Sequence, residues 1–276
     1  MKIAAQSLFS NPDYNAAQFE TDMALPLPRR KLMILFTPRS GSSWLTDIVT
    51  RSKQLGKPRE WFNPNFIPNI NRAMNANSRD GYIAMLMRKH ALGNVFSAEV
   101  TIYQMQRSFE SEETFLQFFP ARLPYVWLRR KDLVLQAVSL AKAVQTQVFH
   151  APQASPEDLV RAEHSFTYDP AEIDRWLVHI LDQERLGAAF FERHQITPLQ
   201  LDYETMMDQG AEATLRALLA HVRPRRPELP ASVQKRLKSK HEKIGSDQNH
   251  DYAERYARSS PARMDEIAAF RAAHPV

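Results

Sequence analysis

The stretch Lys31–Val49 constrains this chain more than any other. Leu32-Met33-Ile34-Leu35-Phe36 is a short apolar run, Thr37-Pro38-Arg39-Ser40-Gly41-Ser42-Ser43 is a small polar loop, and Trp44-Leu45-Thr46-Asp47-Ile48-Val49 reads as a helix opening. A strand that feeds such a loop into a helix N-terminus makes an anion site. First-turn N–H groups have no intrahelical partner, and the helix dipole adds partial positive charge. Arg39 contributes a full charge and Ser40, Ser42 and Ser43 contribute hydroxyl donors. Gly41 stands out because the chain has only seven glycines. The loop is expected to bind a phosphate or a sulfate; taken alone, it reads equally as a serine-rich turn capping an ordinary helix.

Further apolar runs predict strands at Leu32–Phe36, Val95–Val100, Tyr125–Leu128 and Leu199–Tyr203, with helical patterns at Trp44–Ser52, Leu133–Phe149, Ile173–Arg193 and Ala211–His221. This alternation predicts an α/β fold, a central parallel sheet flanked by helices. Residues 1–28, closed by Leu25-Pro26-Leu27-Pro28, read as an N-terminal extension, and residues 29–276 as a single domain. Ala151–Pro156 reads as a loop. In open α/β sheets ligands sit beyond the carboxyl ends of the strands. Arg39 and Arg129-Arg130 both fall there, each directly after a predicted strand.

At 43% hydrophobic residues the chain can fill a sizeable core. It has no cysteine, which excludes disulfides, thiolate metal sites and a cysteine nucleophile and fits a reducing cytoplasm. No apolar run is long enough to span a bilayer, and Met1–Glu20 does not read as a signal peptide. The net charge is +5, with basic residues gathered late, at Arg223-Pro224-Arg225-Arg226 and at Lys235, Arg236, Lys238, Lys240 and Lys243. No aromatic-interleaved basic motif or zinc pattern accompanies them, so a nucleic-acid partner is not expected. A polyanionic nucleotide accounts for part of the balance more simply.

The loop lacks the Walker A spacing, since Ser42 stands where that motif has Lys and no glycine precedes Gly41 by five positions. Thr37-Pro38-Arg39-Ser40-Gly41-Ser42-Ser43-Trp44-Leu45 instead resembles the phosphosulfate loop of sulfotransferases that use 3′-phosphoadenosine 5′-phosphosulfate (PAPS). Two later segments extend the likeness: Gly56-Lys57-Pro58-Arg59-Glu60-Trp61-Phe62, and Arg130-Lys131-Asp132 leading to Gln136-Ala137-Val138-Ser139. In this order they resemble the bacterial carbohydrate sulfotransferases typified by trehalose 2-sulfotransferase, over about Leu32 to Tyr256.

The resemblance implies a P-loop-like sulfotransferase fold, PAPS as co-substrate, no metal, and a carbohydrate or glycolipid acceptor; a homodimer is compatible with it. It implies that Arg39 and the backbone of Ser40, Gly41, Ser42 and Ser43 hold the 5′-phosphosulfate. Arg130 and Ser139 hold the 3′-phosphate, with Arg129 a live substitute for Arg130, and Lys243 closes over the nucleotide. Glu60 becomes the general base, with His90 the runner-up, because the attacking hydroxyl must lose its proton. Arg59, Trp61 and Phe62 would contact the acceptor, although aromatics there fit a core equally well. Ser139 and Lys142 fall off the apolar stripe Leu133, Ala137, Leu140, Val144 and Val148, facing either nucleotide or water. One position departs from the family pattern: Glu99 stands where a Lys is usual. A nucleotide-binding module without turnover, or a small-molecule kinase, are the rival readings.

Overall fold

Continuous apolar runs set the sheet. A computed structural model describes residues 5–149, 155–225, 227–234, 237 and 247–276; Lys243, Lys238 and most of the Ala151–Pro156 loop lie outside the described residues. Four strands, β1 (Arg30–Phe36), β2 (Val95–Val100), β3 (Tyr125–Arg129) and β4 (Leu199–Asp202), form a sheet in the order β2-β1-β3-β4 with every pairing parallel. A parallel sheet needs cover on both faces, and β1, β2 and β3 are almost entirely buried.

The period-two alternation of β1 divides the core. Met33 and Leu35 face a layer with Phe96, Ala98, Tyr125 and Trp127, whereas Leu32, Ile34 and Phe36 face a second layer with Val95, Val126 and Leu128. The helices are α1 (Ala16–Met23), α2 (Ser42–Ser52), α3 (Ile67–Met74), α4 (Arg79–Lys89), α5 (Ile102–Phe109), α6 (Glu112–Phe118), α7 (Leu133–Thr146), α8 (Pro156–Ser165), α9 (Pro170–Arg193), α10 (Tyr203–Val222, kinked at Gly210), α11 (Ala231–Gln234), α12 (Asp247–Ser259) and α13 (Pro261–Ala273). Residues of α4, α5, α6 and the end of α9 fill the first layer, those of α2 and α10 the second, and α7, α9, α12 and α13 share a third cluster. No helix among the described residues is long and apolar enough to cross a membrane.

The strand expectations hold to within two residues at every end. Leu199–Tyr203 stops at Asp202 because Asp202 caps the next helix, its Oδ1 accepting from the Thr205 N–H at 2.8 Å. Leu133–Phe149 ends at Thr146, where Gln147 turns left-handed at φ 59°. Helix α3 lies in a stretch without a predicted element, and α8 begins at Pro156, where the expected Ala151–Pro156 loop ends. The expected N-terminal extension is packed rather than loose. A 3-10 turn at Ala5–Phe9 buries Leu8 and Phe9 in the first layer, and Asn71 Nδ2 donates to the Phe9 carbonyl at 2.9 Å. Helix α7 is buried nearly all round, so the expected polar face is not a solvent face. Lys142 is buried and paired with Glu163, and Gln136 is fully buried.

Candidate active site

The strand order reverses between β1 and β3, and a crevice opens beyond their carboxyl ends. A cavity of about 690 Å³ lies there. Arg39, Gly41, Ser42, Ser43, Glu60, Arg130 and Ser139 all line it, although they come from segments up to a hundred residues apart.

The loop after β1 is shaped by backbone demands. Arg39 is left-handed at φ 66°, and Gly41 caps α2 at φ 86° without any side-chain cap, so the first turn of α2 is not closed by its own N-cap. A Cβ on Gly41 would lie 2.7 Å from Tyr203 Cδ2, a second reason for glycine there. Gln136 fastens the loop from α7, its Nε2 donating to Thr37 Oγ1 at 2.9 Å and to the Pro38 carbonyl at 2.7 Å. Ser40 is fully buried, its Oγ donating to the Thr37 carbonyl at 2.7 Å, so its hydroxyl shapes the loop instead of facing the cavity.

Arg39 reaches across the cavity, Nε donating to Ser139 Oγ on α7 at 3.0 Å and Nη1 to the Phe149 carbonyl just beyond that helix at 2.6 Å. Burial pushes its guanidinium down to about 10, the charge of Arg130 adds to that, and it stays protonated at neutral pH. Among the described residues Arg39 has no carboxylate partner. Arg130 leans on the Tyr203 ring at 4.8 Å, with Nε 3.4 Å from Glu204 Oε1. Two guanidiniums close enough for Arg130 to depress Arg39, with one carboxylate against Arg130, leave positive charge for an anion.

Arg129 points the other way. It stacks on Trp127 at 3.8 Å, and its guanidinium donates to the carbonyls of His274 and Pro275 at 3.0 and 2.6 Å and to Gln200 Oε1 at 3.0 Å. Buried and committed to those acceptors, it is no substitute for Arg130.

The segment Gly56–Glu60 runs beside β2. Arg59 bridges Ala98 in parallel, and the Glu99 N–H donates to the Arg59 carbonyl at 3.0 Å. Gly56, at φ 87°, lets this approach happen, since a Cβ would stand 2.9 Å from the Ser97 nitrogen and the Val95 oxygen. The strand-like path turns Glu60 into the cavity. Its Oε2 accepts from Asn63 Nδ2 at 2.8 Å and from Gln104 Nε2 at 2.5 Å. Both amides are oriented by their own acceptors. Asn63 Oδ1 takes the Asn65 N–H at 3.1 Å, and Gln104 Oε1 takes the Thr101 N–H at 3.1 Å in the capping box of α5. Two fixed N–H donors on one oxygen suit a carboxylate and leave Oε1 without a partner among the described residues.

The other acceptor residues expected from sequence are not brought to the cavity. Trp61 is buried, its Nε1 donating to the Lys57 and Ser97 carbonyls at 3.1 Å each, and Phe62 is fully buried among Phe109, Phe119 and Tyr82. Both are core residues, and the exposed Arg59 sits 5.8 Å from the Trp61 ring. His90 lies tilted against Trp61, ring centroids 4.4 Å apart, and does not line the cavity; burial pushes its imidazole down, and nearby Lys57, Arg59 and Lys89 push the same way.

Instead Asn63, Asn65, Phe66, Gln104, Trp176, His179 and Tyr203 are among the side chains that line it. Of these, only Gln104 carried a local signal, the Thr101-x-x-Gln104 spacing of a capping box. Glu99 lies just behind the wall, buried beside Thr46. Among the described residues no group of three or more His, Asp or Glu could hold a metal ion.

A family model described as Stf0 sulphotransferase matches residues 78–259. The match takes in Gln104, Arg130 and Ser139, while the loop after β1, Glu60 and Asn63 precede it. No curated protein matches the chain.

Proposed function

The chain belongs to the Stf0 sulphotransferase family, and on that footing we propose that it moves a sulfuryl group from PAPS to a hydroxyl of a carbohydrate or glycolipid acceptor, releasing adenosine 3′,5′-bisphosphate. The observation that carries this reading is one cavity in which Arg39, Arg130 and the amide-held carboxylate of Glu60 converge. A donor with anionic groups at two ends matches two guanidiniums reached from different strands. In this reading Arg39 and the first turn of α2 take the 5′-phosphosulfate, and Arg130 with Ser139 takes the 3′-phosphate.

The acceptor oxygen then forms a bond to sulfur, the bond from sulfur to the nucleotide's bridging oxygen breaks, and the hydroxyl proton goes to Glu60 Oε1. Charge growing on the bridging oxygen meets the fixed guanidinium and N–H groups. The acceptor side suits a hydroxyl-rich molecule: Asn63, Asn65 and Gln104 offer carboxamides, and Phe66 and Trp176 offer ring faces for a sugar's C–H side.

Titration calorimetry tests the donor half. Arg130→Ala should weaken adenosine 3′,5′-bisphosphate by about 2 kcal/mol, the worth of a charge-assisted contact, while adenosine 5′-phosphate is nearly unaffected. Equal losses for both ligands would refute the 3′-phosphate role. A melting temperature raised by ATP with magnesium and not by PAPS would favour a small-molecule kinase instead.

A further inference from the structure

Thr46 Oγ1 makes two short polar contacts and owns one proton. It lies 2.7 Å from the Pro58 carbonyl and 3.1 Å from Glu99 Oε2. A carbonyl can only accept, so the shorter contact takes the threonine proton. The second contact then joins two oxygens with no proton left from Thr46, and the proton between them has to come from Glu99. We propose that Glu99 is a neutral carboxylic acid donating to Thr46, and that it acts as a positioning residue that ties α2 to the Glu60 segment while adding no second negative charge beside Glu60. The functional part of this proposal rests on the reading of Glu60 as the base.

Three observations support it. Glu99 is 6% exposed and has no cationic partner among the described residues, a setting in which an ionised carboxylate is costly. Its neighbours include Thr46 on α2, which also contacts the Pro58 carbonyl, Glu60 on the edge segment, and the apolar Ile34 opposite it on β1. The charged residues of α2, Asp47 and Arg51, pair with each other at 2.8 Å. Burial first, and the charge of Glu60 second, hold the Glu99 carboxyl well above the usual carboxylate range, in keeping with the proton count.

The pair thus holds one proton and one charge at rest: Glu60 ionised under two amide donors, Glu99 protonated over Thr46. Raising the pH removes the Glu99 proton, sets two oxygens with lone pairs against each other at Thr46, and places a second charge near an anionic donor. Turnover should fall on that limb by roughly tenfold per pH unit, the slope of a single ionisation.

Infrared difference spectra of wild type minus Glu99→Gln test the protonation without any assay. At neutral pH a protonated-carboxyl stretch belonging to Glu99 is expected, and in Glu60→Gln, where the neighbouring charge is gone, it should be lost at a lower pH. Its absence from wild type at neutral pH would overturn the proposal. The link to turnover is read from the ratio of alkaline to neutral activity within each protein. Glu99→Gln, which keeps a neutral donor, should lose the alkaline fall, and an unchanged fall would refute the positioning role. Wild type without any PAPS-dependent turnover would instead overturn the proposed function, and the infrared result would decide Glu99 by itself.

Discussion

Glu60 shows how a single surface-looking acid becomes a directed group. Asn63 and Gln104 both give N–H bonds to its Oε2, and each amide has its own oxygen occupied by a backbone N–H, so neither can flip. The free oxygen is therefore aimed by the backbone of residues 63–65 and by the start of α5. Glu60→Gln keeps the shape and can still accept at the same oxygen, yet it cannot take a proton. Single-turnover transfer should slow by roughly 100-fold or more, with PAPS affinity nearly unchanged. A fast Glu60→Gln would move the base elsewhere. Glu60 was legible only through its motif. Asn63 and Gln104 were not, because a carboxamide's role depends on which side chain the fold brings near it. Trp61 and Phe62 stayed open between acceptor wall and core for the opposite reason. An aromatic beside a motif residue looks like a ligand wall until packing places its ring in the core.

At the scale of elements, the edge segment beside β2 decides where Glu60 stands. Gly56→Ala would force a Cβ against the backbone of Val95 and Ser97 at a φ that L-residues rarely adopt. A loss of about 2–3 kcal/mol of stability is expected, measured by urea unfolding. An unchanged midpoint would mean that the close approach to β2 is not needed. The four strands were readable because buried parallel strands are continuous apolar runs between turns. Helices α3 and α12 were not, since each turns a polar residue inward: α3 buries Asn71 between Ile67 and Met74, and α12 buries Asn249 with Ala253 and Tyr256. A buried asparagine interrupts the period that reveals a helix. The 3-10 turn at Ala5–Phe9 escaped too, because a pair such as Leu8-Phe9 is too short to signal burial.

Across the whole molecule, a buried charge cluster ties distant elements together. Glu184 on α9 is fully buried and accepts from both Nη atoms of Arg271 on α13, while Arg129 at the end of β3 lies 4.0 Å away. Arg271 also donates to the Arg130 carbonyl at 2.7 Å, so α13 is anchored directly beneath a cavity residue. Glu184→Gln leaves the buried Arg129 and the half-buried Arg271 short of a counter-charge and should cost roughly 3–5 kcal/mol by urea unfolding. A shift below 1 kcal/mol, the range of exposed pairs, would show that solvent reaches the cluster. The arginine doublet at the end of β3 carries a consequence for any mutational scan of this chain. Successive residues there face opposite sides, one into the packing around residues 274 and 275 and the other into the cavity. A screen scored on activity alone is expected to group Arg129 with Arg130, since losing either should lower turnover. A parallel measure of protein abundance should separate them: Arg129 variants are expected to fall in abundance, and Arg130 variants to accumulate as folded protein of reduced activity.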